Sequence, residues 1–82
     1  MATYVLMLKE YEDNEIVIFK FGPNKTAMGK VEINKITKEY REIEAVPKVE
    51  NKFYYNCTVS KLIRYLSDNK GKEFPERMFY AS

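Results

Sequence analysis

The sequence predicts an α+β fold, an antiparallel sheet of four to five strands with one amphipathic helix packed on one face, in the order β-β-β-β-α-β. Three observations predict it. The first half of the 82-residue chain is rich in β-branched and aromatic residues broken by short polar or Gly-Pro turns. Residues 58–71 carry one helical pattern with a start and a stop, in which Val59, Leu62, Ile63 and Leu66 recur at i, i+3, i+4 and i+7. A helix with a single apolar face must bury it, and a sheet is the large surface the rest of the chain can offer.

Residues 3–11 and 15–21 are the first two strands, separated by Glu12-Asp13-Asn14, which suits a tight hairpin between antiparallel neighbours. Both runs are apolar on both faces near their middles. Tyr4, Leu6 and Leu8 oppose Val5 and Met7; Ile16 and Ile18 oppose Val17 and Phe19. Two-sided apolarity belongs to central strands, or to strands whose second face is covered by a loop or a partner. Gly22-Pro23-Asn24-Lys25 reads as a turn, because Pro23 has a fixed φ and no N–H to give a ladder. Ala27, Gly29, Val31 and Ile33 then alternate with Met28, Lys30, Glu32 and Asn34, the pattern of a half-buried strand.

Residues 35–46 admit two readings. Ile33, Ile36, Tyr40 and Ile43 have helix-like spacing, but Lys35 and Lys38 would then sit at the positive end of the helix and Glu42 and Glu44 at the negative end. The reversed charge order favours a turn over 35–39 and a strand over 40–46, ended by Pro47. Residues 48–52 form a polar connector, and Phe53-Tyr54-Tyr55 a short extended entry to the helix. Thr58 is the expected N-cap, with Cys57 and Leu62 as a hydrophobic staple and Gly71 as the C′ residue. A last strand follows Pro75 over 77–81, with Met78 and Tyr80 on one face. Leu62 and Leu66 are expected in the core, and Lys61 and Arg64 in solvent. No repeat or linker interrupts what reads as a single domain over 1–82.

Composition narrows the function more by exclusion than by indication. Lys and Arg total 14 against 12 Asp and Glu, a net charge of only +2 that falls wholly in residues 53–82. Nucleic-acid modules carry a much stronger basic bias. There is no histidine, which removes the commonest general base and metal ligand. With one cysteine, Cys57, no intramolecular disulfide and no zinc site is expected. Cys57 reads as a packed structural residue rather than a reactive thiol. No basic, cleavable leader precedes Tyr4, and no apolar run approaches the roughly 20 residues needed to cross a bilayer, so a cytoplasmic protein away from membranes is expected.

The stretch 22–31 invites comparison with a phosphate-binding P-loop and fails it. Six residues separate Gly22 from Gly29, Val31 stands where Ser or Thr would hold magnesium, and a strand follows instead of a helix. Asp68-Asn69-Lys70-Gly71 lacks the alternating oxygens and distal glutamate of a calcium loop and reads as a helix stop. The triplets at Asn24 and Asn56 match a glycosylation pattern, but only by chance without a secretory signal. No catalytic, cofactor-binding or metal-binding constellation is left.

Seven tyrosines and five phenylalanines are the one excess. In the last thirty residues the aromatics interleave with cations, giving a possible interaction surface of Tyr54, Tyr55, Lys61, Arg64, Tyr65, Lys72, Arg77 and Phe79. The bland alternative packs most of these rings under or beside the helix. The resulting expectation is a small non-catalytic protein-interaction or regulatory domain whose partner is an unidentified protein or a second copy of the chain in a homodimer. A weak nucleic-acid module using Lys61, Arg64, Lys72 and Arg77 is the alternative, and a small carboxylate enzyme the third reading. The dimer expectation rests on coverage. One helix covers one side of the sheet, which would leave residues such as Met7, Tyr11, Val17, Phe19 and Phe21 in water unless the sheet curls, the 47–56 connector folds over it, or the chain self-associates.

Overall fold

A computed structural model describes residues 4–48 and 52–81. Four strands run as a meander: β1 (Tyr4–Glu12), β2 (Ile16–Asn24), β3 (Ala27–Asn34) and β4 (Tyr40–Glu44). Helix α1 (Phe53–Asp68) then crosses to the far edge, where β5 (Arg77–Ala81) pairs with β1. The sheet order is β4-β3-β2-β1-β5, with every neighbouring pair antiparallel. This is the expected α+β architecture, and β1 and β2, apolar on both faces, are interior strands.

The face under the helix is the hydrophobic core. Val5 and Met7 of β1, Val17, Phe19 and Phe21 of β2, and Val31 and Ile33 of β3 are all fully buried, joined by Leu62 from the helix and by Phe74 and Met78. They include four of the five residues that the sequence reading leaves in water. The face assignment is the correction: the helix covers Met7, Val17, Phe19 and Phe21, and the alternate set is the uncovered one. Tyr11 does lie on the open side, paired with Ile18.

Helix α1 begins earlier than expected. Phe53-Tyr54-Tyr55 is its first turn rather than an extended entry, and Lys52 occupies the N-cap with no side-chain hydrogen bond. Tyr55 continues the buried stripe one turn N-terminal of Val59 and packs on Phe21 and Tyr40, with ring centroids 6.0 and 6.3 Å away. That contact, absent from any local propensity, extends the helix to 16 residues. Thr58 is therefore not a cap but a fully buried mid-helix residue, and the Cys57–Leu62 staple does not arise. Of the two expected core leucines, Leu62 is fully buried and Leu66 half-buried; Arg64 is exposed and Lys61 half-buried. The helix ends at Asn69, and Gly71, with φ of 79°, takes the left-handed position two residues on, one later than expected.

The β2–β3 turn also lies later than expected. Strand β2 continues through Gly22-Pro23 with a register shift between Phe21 and Asn24, and the reversal falls at Lys25-Thr26. Asn24 closes it by accepting from the Thr26 backbone N–H and hydroxyl at 2.9 and 2.6 Å. A side chain on Gly22 would collide with the Ala27 carbonyl oxygen, so the crossing strands demand glycine there. The 35–39 turn and the following strand are as read, although β4 stops at Glu44.

Candidate interaction surface

Three regions of the surface bring chemistry-bearing residues together. The first is a buried ionic cluster at one end of the sheet. A bulge at Glu10 shifts the β1 register between Lys9 and Tyr11, so Lys9 faces Phe19 and Glu12 faces Val17 on the core side. The Glu12 carboxylate, 7% exposed, accepts from Lys35 Nζ at 2.7 Å, from Lys9 Nζ at 3.0 Å and from the Phe74 backbone N–H at 3.0 Å. Lys9 Nζ also donates to the Phe74 carbonyl at 2.7 Å. Burial pushes the Glu12 carboxyl up, but the hydrogen bonds from Lys35, Lys9 and the Phe74 amide outweigh it and hold the group below its ordinary 4.5.

A pocket of about 320 Å³ opens beside this cluster, lined by Lys9, Glu12, Asp13, Lys35, Glu73 and Glu76 among others. Both oxygens of Glu12 are taken, and both lysines are spent on Glu12. The arrangement fastens the 73–76 connector and the β3–β4 turn to β1. Among the described residues, no group of three or more His, Cys, Asp or Glu is arranged to hold a metal ion.

The second region is the open face of the sheet. Antiparallel partners share a face, so the pairings define its rows. One row runs Lys30, Lys20, Leu8, Arg77; the next holds Gly22, Leu6 and Phe79; a third runs Arg41, Glu32, Ile18, Tyr11. Tyr4 and Phe79 are 47% and 44% exposed, with centroids 5.5 Å apart. Ile43 is also exposed, whereas Leu6 is buried and Leu8 and Ile18 are half-buried. Lys30 pairs with Glu10 at 3.2 Å, and Arg41 with Glu32 at 3.2 Å. Among the described residues, Lys20 and Arg77 have no acidic partner within 4.0 Å.

The third region is a groove of about 370 Å³ between α1 and the outer edge of β5, lined by Ser60, Lys61, Arg64 and Tyr80. It contains no acidic residue. Lys61 and Arg64 make no ion pair among the described residues.

The aromatic–basic surface expected from the sequence is thus divided. Lys61 and Arg64 share the α1–β5 groove, while Arg77 and Phe79 lie around the edge of β5 on the open face. Lys72 belongs to a separate hollow beyond the helix, with Lys35, Ile36, Leu66 and Glu73. Tyr55 and Tyr65 are mainly packing residues: Tyr65 stacks 4.8 Å from Phe74 and donates to the Glu73 carbonyl at 3.0 Å. Tyr54 is half-buried against Phe53, 5.7 Å away. Tyr4 and Lys20 belong to these surfaces but lie outside the last thirty residues, and Tyr80, inside them, joins the α1–β5 groove without being in the expected set. The strict alternation of β1, continued across β5 by Phe79, is the signal that could have joined Tyr4 to it.

Among the described residues, no helix is long and apolar enough to cross a membrane. No family model, no curated protein and no solved structure matches the chain.

Proposed function

We propose that this is a small non-catalytic protein-interaction or regulatory domain of the cytoplasm that docks a partner protein through its open sheet face. The observation that carries the reading is a sheet covered by a helix on one side only, with exposed Tyr4, Phe79 and Ile43 and half-buried Leu8 and Ile18 on the other, around a buried Leu6. Aromatic and arginine side chains side by side, here Tyr4, Phe79 and Arg77, are the residue types that dominate protein interfaces.

A different protein suits this face better than a second copy. Lys20 and Arg77 flank Leu8 in the central row. Two copies meeting face to face about an axis through Leu8 would set cation against cation when the axis runs along the strands or across them. The same row of cations beside the Tyr4–Phe79 pair favours single-stranded nucleic acid as the second reading, with bases on the rings and phosphates on the cations.

Capture from cells of the source organism with wild-type protein and with a Phe79→Ser/Ile43→Ser variant tests the proposal. Both replaced residues are exposed, so the variant keeps the wild-type fold. The expected result is a nuclease-resistant protein retained by the wild type and lost by the variant. Equal retention by both overturns the docking face, and a nuclease-sensitive catch establishes the second reading.

A further inference from the structure

The two edges of the sheet are guarded differently. Strand β4, Tyr-Arg-Glu-Ile-Glu, carries three charges in five residues, and two of them are engaged: Arg41 with Glu32, and Glu42 with Lys52 at the start of the helix. Such an edge resists further pairing. Strand β5, Arg-Met-Phe-Tyr-Ala, has one charge, no proline and no bulge in its pairing with β1. Among the described residues, no strand pairs with its outer side. Alternate backbone N–H and C=O groups along that side are a template for another strand.

Charge defines what that strand carries. Lys61 and Arg64 stand over the edge on the helix side, and Arg77 stands on the open side. Among the described residues, none of the three has an acidic partner, and the groove has no acidic lining. Glu76, which precedes the strand, has its carboxylate 4.0 Å from Lys9. Pairing of β5 with β5 of a second copy about a two-fold axis would bring both sets of three cations together, so self-pairing is opposed by the same charges that attract an acidic chain.

Deepening the protein-docking reading above and resting on it, we infer that the outer edge of β5 accepts an extended acidic segment of the partner protein as a sixth strand, its carboxylates on Lys61 and Arg64. Residues of the added strand alternate between the two faces. One set enters the α1–β5 groove beside Tyr80. The other lies along Phe79 and Arg77, continuous with the open face. Backbone pairing supplies affinity without sequence demand, and the cations select acidic side chains.

A fluorescent hexapeptide alternating glutamate and valine, titrated by anisotropy against the full chain, tests this. Binding should weaken at least ~10-fold between low and physiological salt, as contacts between exposed charges do. The same peptide with lysine for glutamate should not bind. Methylating the alternate amides that face β5 should cost about tenfold or more, since those N–H groups make the ladder. Arg64→Glu, at an exposed helical site that leaves folding intact, should lose the acidic peptide and gain the lysine one. The inference is overturned if the acidic peptide does not bind at millimolar concentration, if methylation is without effect, or if Arg64→Glu binds it unchanged. It is also overturned if a thymidine oligonucleotide displaces the peptide from the edge and binds more tightly. Failure of the peptide leaves the capture experiment with Phe79 and Ile43 standing, so the two readings fail separately.

Discussion

Lys35, at the entry to the β3–β4 turn, donates to Glu12 at the end of β1 across 2.7 Å of space and 23 residues of chain. The same lysine's backbone N–H donates to the Glu15 carbonyl at 2.8 Å, so the turn is held twice to the β1–β2 hairpin. Glu12 in turn holds Phe74, whose ring lies 5.8 Å from Phe19 and 4.8 Å from Tyr65. One carboxylate therefore ties together the first hairpin, the second turn and the segment that delivers β5 to its edge. Removing it by Glu12→Ala leaves two lysines facing a vacated, mostly buried site. The expected loss is about 3–5 kcal/mol, the usual cost of breaking a buried pair from one side, read from urea unfolding.

The same carboxylate sets the acid response. Its folded-state pKa lies below the ordinary 4.5, so between the two values the unfolded chain binds more protons than the folded one. Stability from Glu12 is fully present above 4.5 and is lost as pH falls through the folded value. Asp13 contributes in the same direction, its carboxyl held low by hydrogen bonds from the Ile16 amide, the Tyr11 hydroxyl and the Glu15 amide. Urea midpoints measured from pH 6 to pH 3 should fall steeply for the wild type. Glu12→Gln should start lower and fall less, keeping only the remaining slope from groups such as Asp13.

How far the sequence discloses this fold depends on the range of the interaction. Strand alternation in β3, the two-sided apolarity of β1 and β2, and the Val59–Leu62 stripe are local patterns, and they yield the architecture directly. The helix start is not local, because Tyr55 is helical by virtue of Phe21 and Tyr40, more than ten residues away in sequence. The Glu12 cluster is hidden for a sharper reason. Counting by twos from Val5 and Met7 sends Glu12 to the open face, and only the bulge at Glu10 returns it to the core side. No residue pattern marks that bulge. The aromatic–basic surface was half legible: Lys61 with Arg64 follows from helical spacing, while joining Tyr4 to Phe79 needs the β1–β5 pairing.

Thr58 offers a test in the stabilising direction. Its hydroxyl is fully buried and, among the described residues, has no hydrogen-bond partner. Thr58→Val keeps the shape and removes the stranded polar group, so a gain of about 1 kcal/mol is expected in urea unfolding. A comparable loss would show that the hydroxyl is bonded.

Helix docking has its own pair of variants. Leu62→Ala should cost about 2–5 kcal/mol, because the side chain is fully buried against the sheet. Lys61→Ala, on the flank of the same helix and without an ion pair, should cost less than about 0.5 kcal/mol. Equal small losses would contradict helix packing as the source of the core.

Gly22→Ala separates a close-approach glycine from a flexible one. The added carbon meets the Ala27 backbone, which cannot move aside without breaking the β2–β3 end. A loss of about 1–3 kcal/mol is expected, as for overpacked interior sites, whereas Gly71→Ala pays through its left-handed backbone alone.

The central claim is that the partner sits on the open face and the β5 edge. Site-specific photocrosslinking measures this most directly, with a photoreactive phenylalanine analogue at position 79, on the open face, or at position 68, on the exposed end of the helix. In lysate of the source organism, position 79 should yield a discrete protein crosslink that survives nuclease treatment, and position 68 should yield none. Crosslinks of equal strength at both positions, or at 68 alone, would contradict the account.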